Sequence, residues 1–144
     1  MSSVIVTSYI EPEELAKWIL DPNMKARKDY LIIDVRDDDF PFGNICHCKN
    51  IPSTKFLDNV EHYVLKCQKI PRLVFHCAMS QVRGPKCANR YTSTLNSLIQ
   101  DGEIPESEQK VYILRGGFMN FQNLYKDNPK LVENLEEDYW NEYF

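Results

Sequence analysis

The chain has 144 residues, 43% hydrophobic and 26% charged, a size and composition that suit one soluble globular domain with room for one real core. Its formal charge of −4 gives no general attraction to nucleic acid, and no apolar run approaches the length needed to cross a bilayer, so neither nucleic acid nor membrane is expected as a partner. The start, Met1-Ser2-Ser3-Val4-Ile5-Val6, lacks the basic and long apolar regions of a secretory signal. With five cysteines, an odd number, this points to free thiols in a reducing compartment, the cytoplasm with access to the nucleus.

Val4 to Val6 reads as a short strand, and Glu11 to Leu20 as a helix with acids in its first turn and Pro12 near its start. Leu31 to Val35 is nearly all apolar and predicts a buried strand. Lys55 to Lys69 predicts one helix, because Phe56, Val60, Tyr63, Val64 and Cys67 share a face. Leu73 to His76 predicts a second buried strand, and Pro85 to Gln100 a long helix with Ala88, Tyr91, Leu95, Leu98 and Ile99 inward and Asp101-Gly102 at its end. Glu103 to Gln109 reads as a polar surface loop. Val111 to Leu114 predicts a third buried strand, Phe118 to Tyr125 a short helix and Leu131 to Tyr139 a terminal helix. The acidic cluster from Glu133 to Glu142 reads as a solvated helix face. Short apolar strands alternating with helices imply an α/β fold, a mainly parallel sheet covered on both faces. In such sheets ligands bind beyond the C-terminal strand ends, where this chain carries Asp34 and Arg36, Cys77, and Arg115-Gly116-Gly117.

The stretch with the most chemistry is His76-Cys77-Ala78-Met79-Ser80-Gln81-Val82-Arg83, followed by Gly84-Pro85. Cys77 ends a strand and Arg83 closes a short loop at the start of a helix. A helix N-terminus has free N–H groups and a partial positive charge, which favour both a thiolate and a bound phosphate. If the loop curls round, the N–H groups from Ala78 to Arg83 face one centre as an anion nest, and the Arg83 fork grips two oxygens of the same anion. Cys77 then attacks the atom held there. Pro85 fits the first helical turn, where its missing N–H costs nothing.

These segments resemble a known family. His76-Cys77-x-x-Ser80-x-x-Arg83-Gly84-Pro85 is similar to the active-site loop of rhodanese-fold phosphatases of the Cdc-twenty-five type, and equally to that of eukaryotic rhodanese-fold arsenate reductases. Leu31 to Arg36 resembles the family's early strand ending in Asp-x-Arg. Gly43-Asn44-Ile45 with Asn50-Ile51-Pro52 resembles its Gly-His-Ile and Asn-Ile-Pro pair, and Val111 to Phe118 its last strand and Gly-Gly turn. The resemblance implies a single rhodanese-like domain over residues 1–144, its core from about 4 to 126, with an acidic helix after it.

Within the family the loop of sulfurtransferases is shorter. The seven residues from Cys77 to Arg83 match the phosphatases and arsenate reductases, and argue against sulfurtransfer. The intact Cys77 and Arg83 argue against a non-catalytic anion-binding module. The implied activity is hydrolysis of phosphate monoesters, of phosphotyrosine or dual-specificity type, by way of a cysteinyl-phosphate, on a phosphorylated protein or a small phosphate ester. The alternative is reduction of arsenate with glutathione and glutaredoxin as outside thiols. Catalytic roles fall to Cys77 and Arg83, and anion binding to Ala78, Met79, Ser80, Gln81, Val82 and Arg83. No cofactor or metal is called for.

Other positions have more than one reading. Ser80 bonds within the loop or to the thiolate. His76 shapes the loop, Asp34 and Arg36 link up beneath the site, and Arg115 is a rim residue or a plain surface arginine. The Cdc-twenty-five loop has an acid just before its arginine where this chain has Val82, which leaves the leaving group without an evident proton donor and leans towards the reductase. Asp37, Asp38 and Asp39 follow the Asp-x-Arg strand and could reach in as the acid, but read first as a solvated acidic turn. The family's second cysteine, in the Asp-x-Arg strand, is replaced by Val35; Cys87, on the helix that follows the loop, is a candidate for a resolving thiol. Cys46-His47-Cys48, with His62 and Cys67, is too closely spaced for a zinc knuckle and reads as packed small thiols.

Overall fold

Strand parity organises the molecule. The computed structural model describes residues 4–143. Its five-stranded sheet is formed by β1 (Thr7–Ile10), β2 (Leu31–Asp34), β4 (Lys49–Asn50), β5 (Arg72–His76) and β6 (Lys110–Leu114), in the order β1-β6-β5-β2-β4. Every pairing in it is parallel. The helices are α1 (Pro12–Leu20), α2 (Ser53–Asp58), α3 (Val60–Cys67), α4 (Arg83–Gln100), α5 (Gly117–Tyr125) and α6 (Glu137–Tyr143). β3 (Asn44–Ile45) and β7 (Val132–Glu133) form a separate antiparallel pair.

In the register Leu31 sits beside Leu73 and Ile33 beside Phe75. These side chains share one face with Val111 and Ile113, packed against Val64, Tyr91 and Leu95 of α3 and α4. The alternate positions, Ile32, Val74 and Leu114, face Leu15, Phe118, Phe121 and Trp140. Successive side chains of a strand point to opposite faces. So His76 belongs with Val74 on the α5 side, and Cys77 falls with Phe75 on the side of α4. The strands are apolar on both faces because both are covered.

Several elements differ from their sequence-based bounds. The first strand is Thr7–Ile10, not Val4 to Val6. Asn96 takes the backbone of Ile5 instead, its Oδ1 accepting from the Ile5 N–H at 2.9 Å and its Nδ2 donating to the Ile5 carbonyl at 2.8 Å. The single helix expected over Lys55 to Lys69 is two, α2 and α3, broken at Asn59. There the backbone leaves the helical region (φ −136°, ψ 32°) and the side-chain amide bonds back to the Lys55 carbonyl at 2.9 Å. Asparagine competes in this way with the helical ladder. The long helix starts at Arg83, ahead of Pro85, which still lies in its first turn.

The terminal helix expected from Leu131 starts only at Glu137. Leu131 and Leu135 have helical spacing, but Val132 pairs with Ile45 and Asn134 takes a left-handed conformation (φ 60°) that interrupts any helix. Leu131, Val132 and Trp140 are buried, so the core runs on past residue 126. The loop from Glu103 to Gln109 is mostly polar and exposed, but Gln109 turns inward, donating to the carbonyls of Cys67 (2.8 Å) and Ile70 (2.7 Å) and accepting from the Tyr91 hydroxyl (2.8 Å). No described helix is long and apolar enough to cross a membrane.

The C-terminal end of β2 is tied to the rest by a fully buried ion pair. Arg36 Nη2 lies 2.6 Å from Asp34 Oδ2, and Arg36 Nε donates to Asp34 Oδ1 at 3.0 Å. The same Nη2 donates to the Gly43 carbonyl at 2.7 Å, and the guanidinium sits 4.5 Å from the centre of the Phe118 ring. Removing one partner of such a pair leaves the other charge uncompensated in the core. Arg36→Met is therefore expected to destabilise the protein by about 3–5 kcal/mol in urea unfolding. The Asp34→Asn/Arg36→Met double variant should recover part of the loss.

Candidate active site

The loop from Cys77 to Arg83 spans the gap between β5 and α4, and both ends fix it. Because Cys77 emerges on the α4 face, its sulfur lies under the N-terminus of that helix, where the Gly84 N–H donates to Sγ at 3.3 Å. Gly84 is needed for that approach: a Cβ there would lie 3.3 Å from the Cys77 nitrogen and from the His76 Cα. On the other side the Cys77 carbonyl accepts from Phe118 N (3.0 Å) and the Ala78 carbonyl from Met119 N (2.9 Å). The free N–H groups at the start of α5 thus hold the loop's carbonyls outward. Gly117, at φ 60°, permits this contact, since a Cβ there would come within 2.5 Å of the Ala78 oxygen.

No N–H of residues 78 to 82 donates to a protein acceptor among the described residues. Ser80 turns the loop in a left-handed conformation (φ 53°), and its buried hydroxyl has no protein partner. Free amides and an orphaned buried hydroxyl in one turn are what an anion cradle requires. Met79, Gln81 and Val82 are exposed on the outer side of the loop, Ala78 is half-buried, and Cys77 is only 4% exposed.

His76 is fully buried. Its Nδ1 lies 3.0 Å from the Cys77 carbonyl, so the proton sits on Nδ1, while Nε2 has no hydrogen-bond partner and stands 3.6 Å from Asp34 Oδ2. Burial pushes the imidazole below its ordinary value, against the pull of the Asp34 carboxylate. The ring is a neutral brace for the loop, as the sequence suggests.

Arg83 is engaged by the acidic loop. Its Nη1 and Nη2 donate to the two oxygens of Asp39, each at 3.0 Å, and Nη1 also lies 3.4 Å from Asp37 Oδ2. This corrects the solvated-turn reading for Asp37 and Asp39, while Asp38 is exposed. Burial raises the Asp39 carboxyl, but the Arg83 hydrogen bonds and charge outweigh it and hold the group below its ordinary value. In turn the Asp39 bonds raise the Arg83 guanidinium further above its own. Of the three acids that the sequence left able to reach in, Asp39 and Asp37 are the ones that meet Arg83; the signal for them was an acidic run directly after Asp-x-Arg.

Arg115 pairs at the surface with Glu11 (2.7 Å) and stacks over Tyr9. Cys87, on the inner face of α4, is buried, and its thiol is pushed up to about 12, first by burial and then by the charge of Cys77. Cys46 faces the Pro129 carbonyl and Cys48 the Asn44 amide, their thiols pushed up to about 11 and about 12, in each case first by burial.

A family model described as a rhodanese-like domain matches residues 11–124, and the chain belongs to that family. Its relatives are more specific. The dual specificity phosphatase ibp1 of Schizosaccharomyces pombe is 36% identical, with 88% of this chain and 96% of that protein covered. The CDC25-like phosphatase YCH1 of Saccharomyces cerevisiae is 27% identical, with 96% and 97% covered. Among solved structures, the As-Sb reductase from Leishmania major matches with a TM-score of 0.70 at 32% identity, over 88% of this chain and 85% of that one.

The buried imidazole makes stability depend on pH. Its folded pKa is lowered, so the unfolded chain takes up a proton that the folded ring refuses, and stability falls as the pH drops below about 6.5. In urea unfolding between about pH 7.5 and 5, His76→Asn should lack this part of the slope. Its side-chain amide keeps a donor for the Cys77 carbonyl without the titrating group.

Proposed function

We propose that the chain is a cysteine-dependent phosphatase, of phosphotyrosine or dual-specificity type, acting on phosphorylated proteins or small phosphate esters. The observation that carries this reading is the Cys77 sulfur held under the α4 N-terminus by the Gly84 N–H, in a loop whose amides have no protein acceptor and whose last residue is Arg83. The relatives named as phosphatases support it.

The phosphoryl group enters the loop with its equatorial oxygens on the amides of residues 78 to 82 and on Arg83. The Cys77 sulfur attacks phosphorus, a bond forms between them, and the ester P–O bond breaks. Water then attacks the cysteinyl-phosphate and releases orthophosphate. Division into two displacements replaces one hard step with two easier ones. The amides and Arg83 are fixed before charge redistributes over the oxygens, which is where such a site gains its rate.

Arsenate reduction is the second reading. Val82, beside Arg83, is 71% exposed and offers no proton to a leaving alkoxide, and arsenate requires none of that kind. The Leishmania relative is named a reductase. On this reading arsenate enters the same loop, and glutathione and glutaredoxin supply the reducing thiols.

Native protein should hydrolyse para-nitrophenyl phosphate, and Cys77→Ser should not. Arg83→Lys, which loses the planar fork, should lower kcat by about 10²–10³. Parallel assays of arsenate with glutathione and glutaredoxin separate the two readings: strong arsenate turnover without ester cleavage selects the reductase. Ester cleavage that survives in Cys77→Ser removes the nucleophile.

A further inference from the structure

Asp39 presents to Arg83 what an incoming anion would present. Its two oxygens take the two terminal nitrogens of the guanidinium at 3.0 Å each, the bidentate geometry by which arginine grips carboxylate and phosphate alike. Both side chains remain open to solvent, at 31% and 21% exposure, so a phosphoryl dianion can compete for the fork. Asp37 makes one longer contact, 3.4 Å, and its Oδ2 also accepts from the Ser53 hydroxyl at 3.4 Å.

The backbone that carries Asp39 is fixed. Arg36 Nη1 donates to the Asp39 carbonyl at 3.4 Å. The helical turn Phe40–Phe42 follows, and its last carbonyl accepts from Trp140 Nε1 at 2.9 Å and from Glu136 N at 3.0 Å. Phe42 stacks on Tyr139 with ring centres 3.9 Å apart. These contacts hold the Asp39 Cα beside the loop and leave its side chain as the part that can turn. No acid precedes Arg83 in the loop itself, and Asp39 and Asp37 are the carboxylates at that guanidinium among the described residues.

We propose that Asp39 is a built-in counter-ion which the substrate displaces from Arg83, and that it then donates the proton to the leaving oxygen. The proposal rests on Cys77 as the nucleophile. In the first step the S–P bond forms, the ester P–O bond breaks, and the Asp39 carboxyl proton passes to the departing oxygen. In the second, the Asp39 carboxylate takes a proton from water as that water's oxygen bonds to phosphorus. The S–P bond breaks, and orthophosphate and the thiolate are released. No electrons change hands: Asp39 takes up a proton from solvent as the ester displaces it from Arg83, ends the cycle protonated, and returns that proton to solvent when it pairs again with Arg83.

The groups around Asp39 fit this cycle. Arg83 and Arg36 hold it ionised in the free protein, Asp37 shares Arg83 with it, and His76 lies buried nearby. Once Arg83 turns to the substrate, burial and the dianion's own charge both favour the protonated carboxyl.

The test compares Asp39→Asn with native protein on para-nitrophenyl phosphate, a good leaving group, and phenyl phosphate, a poor one, with inorganic phosphate as inhibitor. Asparagine carries no charge to compete, so phosphate should bind several-fold more tightly. The rate on phenyl phosphate should fall by about a hundredfold, the range of a lost general acid, and that on para-nitrophenyl phosphate by much less. The basic limb of the kcat–pH profile should disappear. Equal falls on both esters overturn the proposal, whichever way phosphate binding moves. If Asp39→Asn does not fold, the native protein decides: kcat/KM that hardly changes with leaving-group acidity supports a proton donor, and a steep dependence excludes one. Failure of the Cys77 reading is seen separately, as ester cleavage that persists in Cys77→Ser; native protein that cleaves no ester ends both.

Discussion

The buried Asp34–Arg36 pair is the constraint on which the rest of the structure depends. A charge in a dry core is tolerable only when its partner and its remaining hydrogen-bond donors are satisfied. Arg36 meets that condition by reaching in several directions at once: to Asp34 at the end of β2, to the Gly43 carbonyl, to the Asp39 carbonyl and to the face of Phe118. Each contact fixes a different part of the site. Asp34 stands beside His76, Gly43 and Asp39 bound the acidic loop, and Phe118 opens the helix that holds the loop carbonyls. One buried guanidinium thus sets the relative positions of the sulfur-bearing strand and the acid that meets Arg83.

Two helix N-termini divide the work around the loop. That of α4 gives its Gly84 N–H to the sulfur, and that of α5 gives its N–H groups to the carbonyls of Cys77 and Ala78. The second set orients the peptide planes so that the remaining amides are left for an anion. The cost is local backbone strain at Ser80, in the left-handed region, which Gly117 enters freely for want of a Cβ. Such strain persists where the surroundings over-determine it, and it clusters at functional sites.

The thiols separate by environment. Cys46, Cys48, Cys67 and Cys87 are all pushed up by burial, so they stay protonated and pack as small apolar groups. Cys77 is as well buried as most of them and is the one whose sulfur takes the N–H at the start of α4. Phosphate esters and arsenate are both tetrahedral anions, which is why one loop serves relatives named for either chemistry.

The order of motifs, the apolar strands and the strand–loop–helix around Cys77 were legible in the chain, because each is a local pattern read by periodicity or spacing. The seven-residue span from Cys77 to Arg83 between a strand and a helix was legible too, while the face on which Cys77 emerges came from the strand register. Asn59 breaking a helix, Asn96 drawing Ile5 out of the first strand, and Val132 pairing with Ile45 were decided by partners distant in sequence or by side-chain bonds that hydrophobic period does not report. The acidic loop shows the limit most plainly. Asp37, Asp38 and Asp39 are the same residue three times over, and nothing local tells them apart. Only the tertiary structure, by anchoring the turn on Arg36 and Trp140, brings Asp39 into bidentate contact with an arginine 44 positions away.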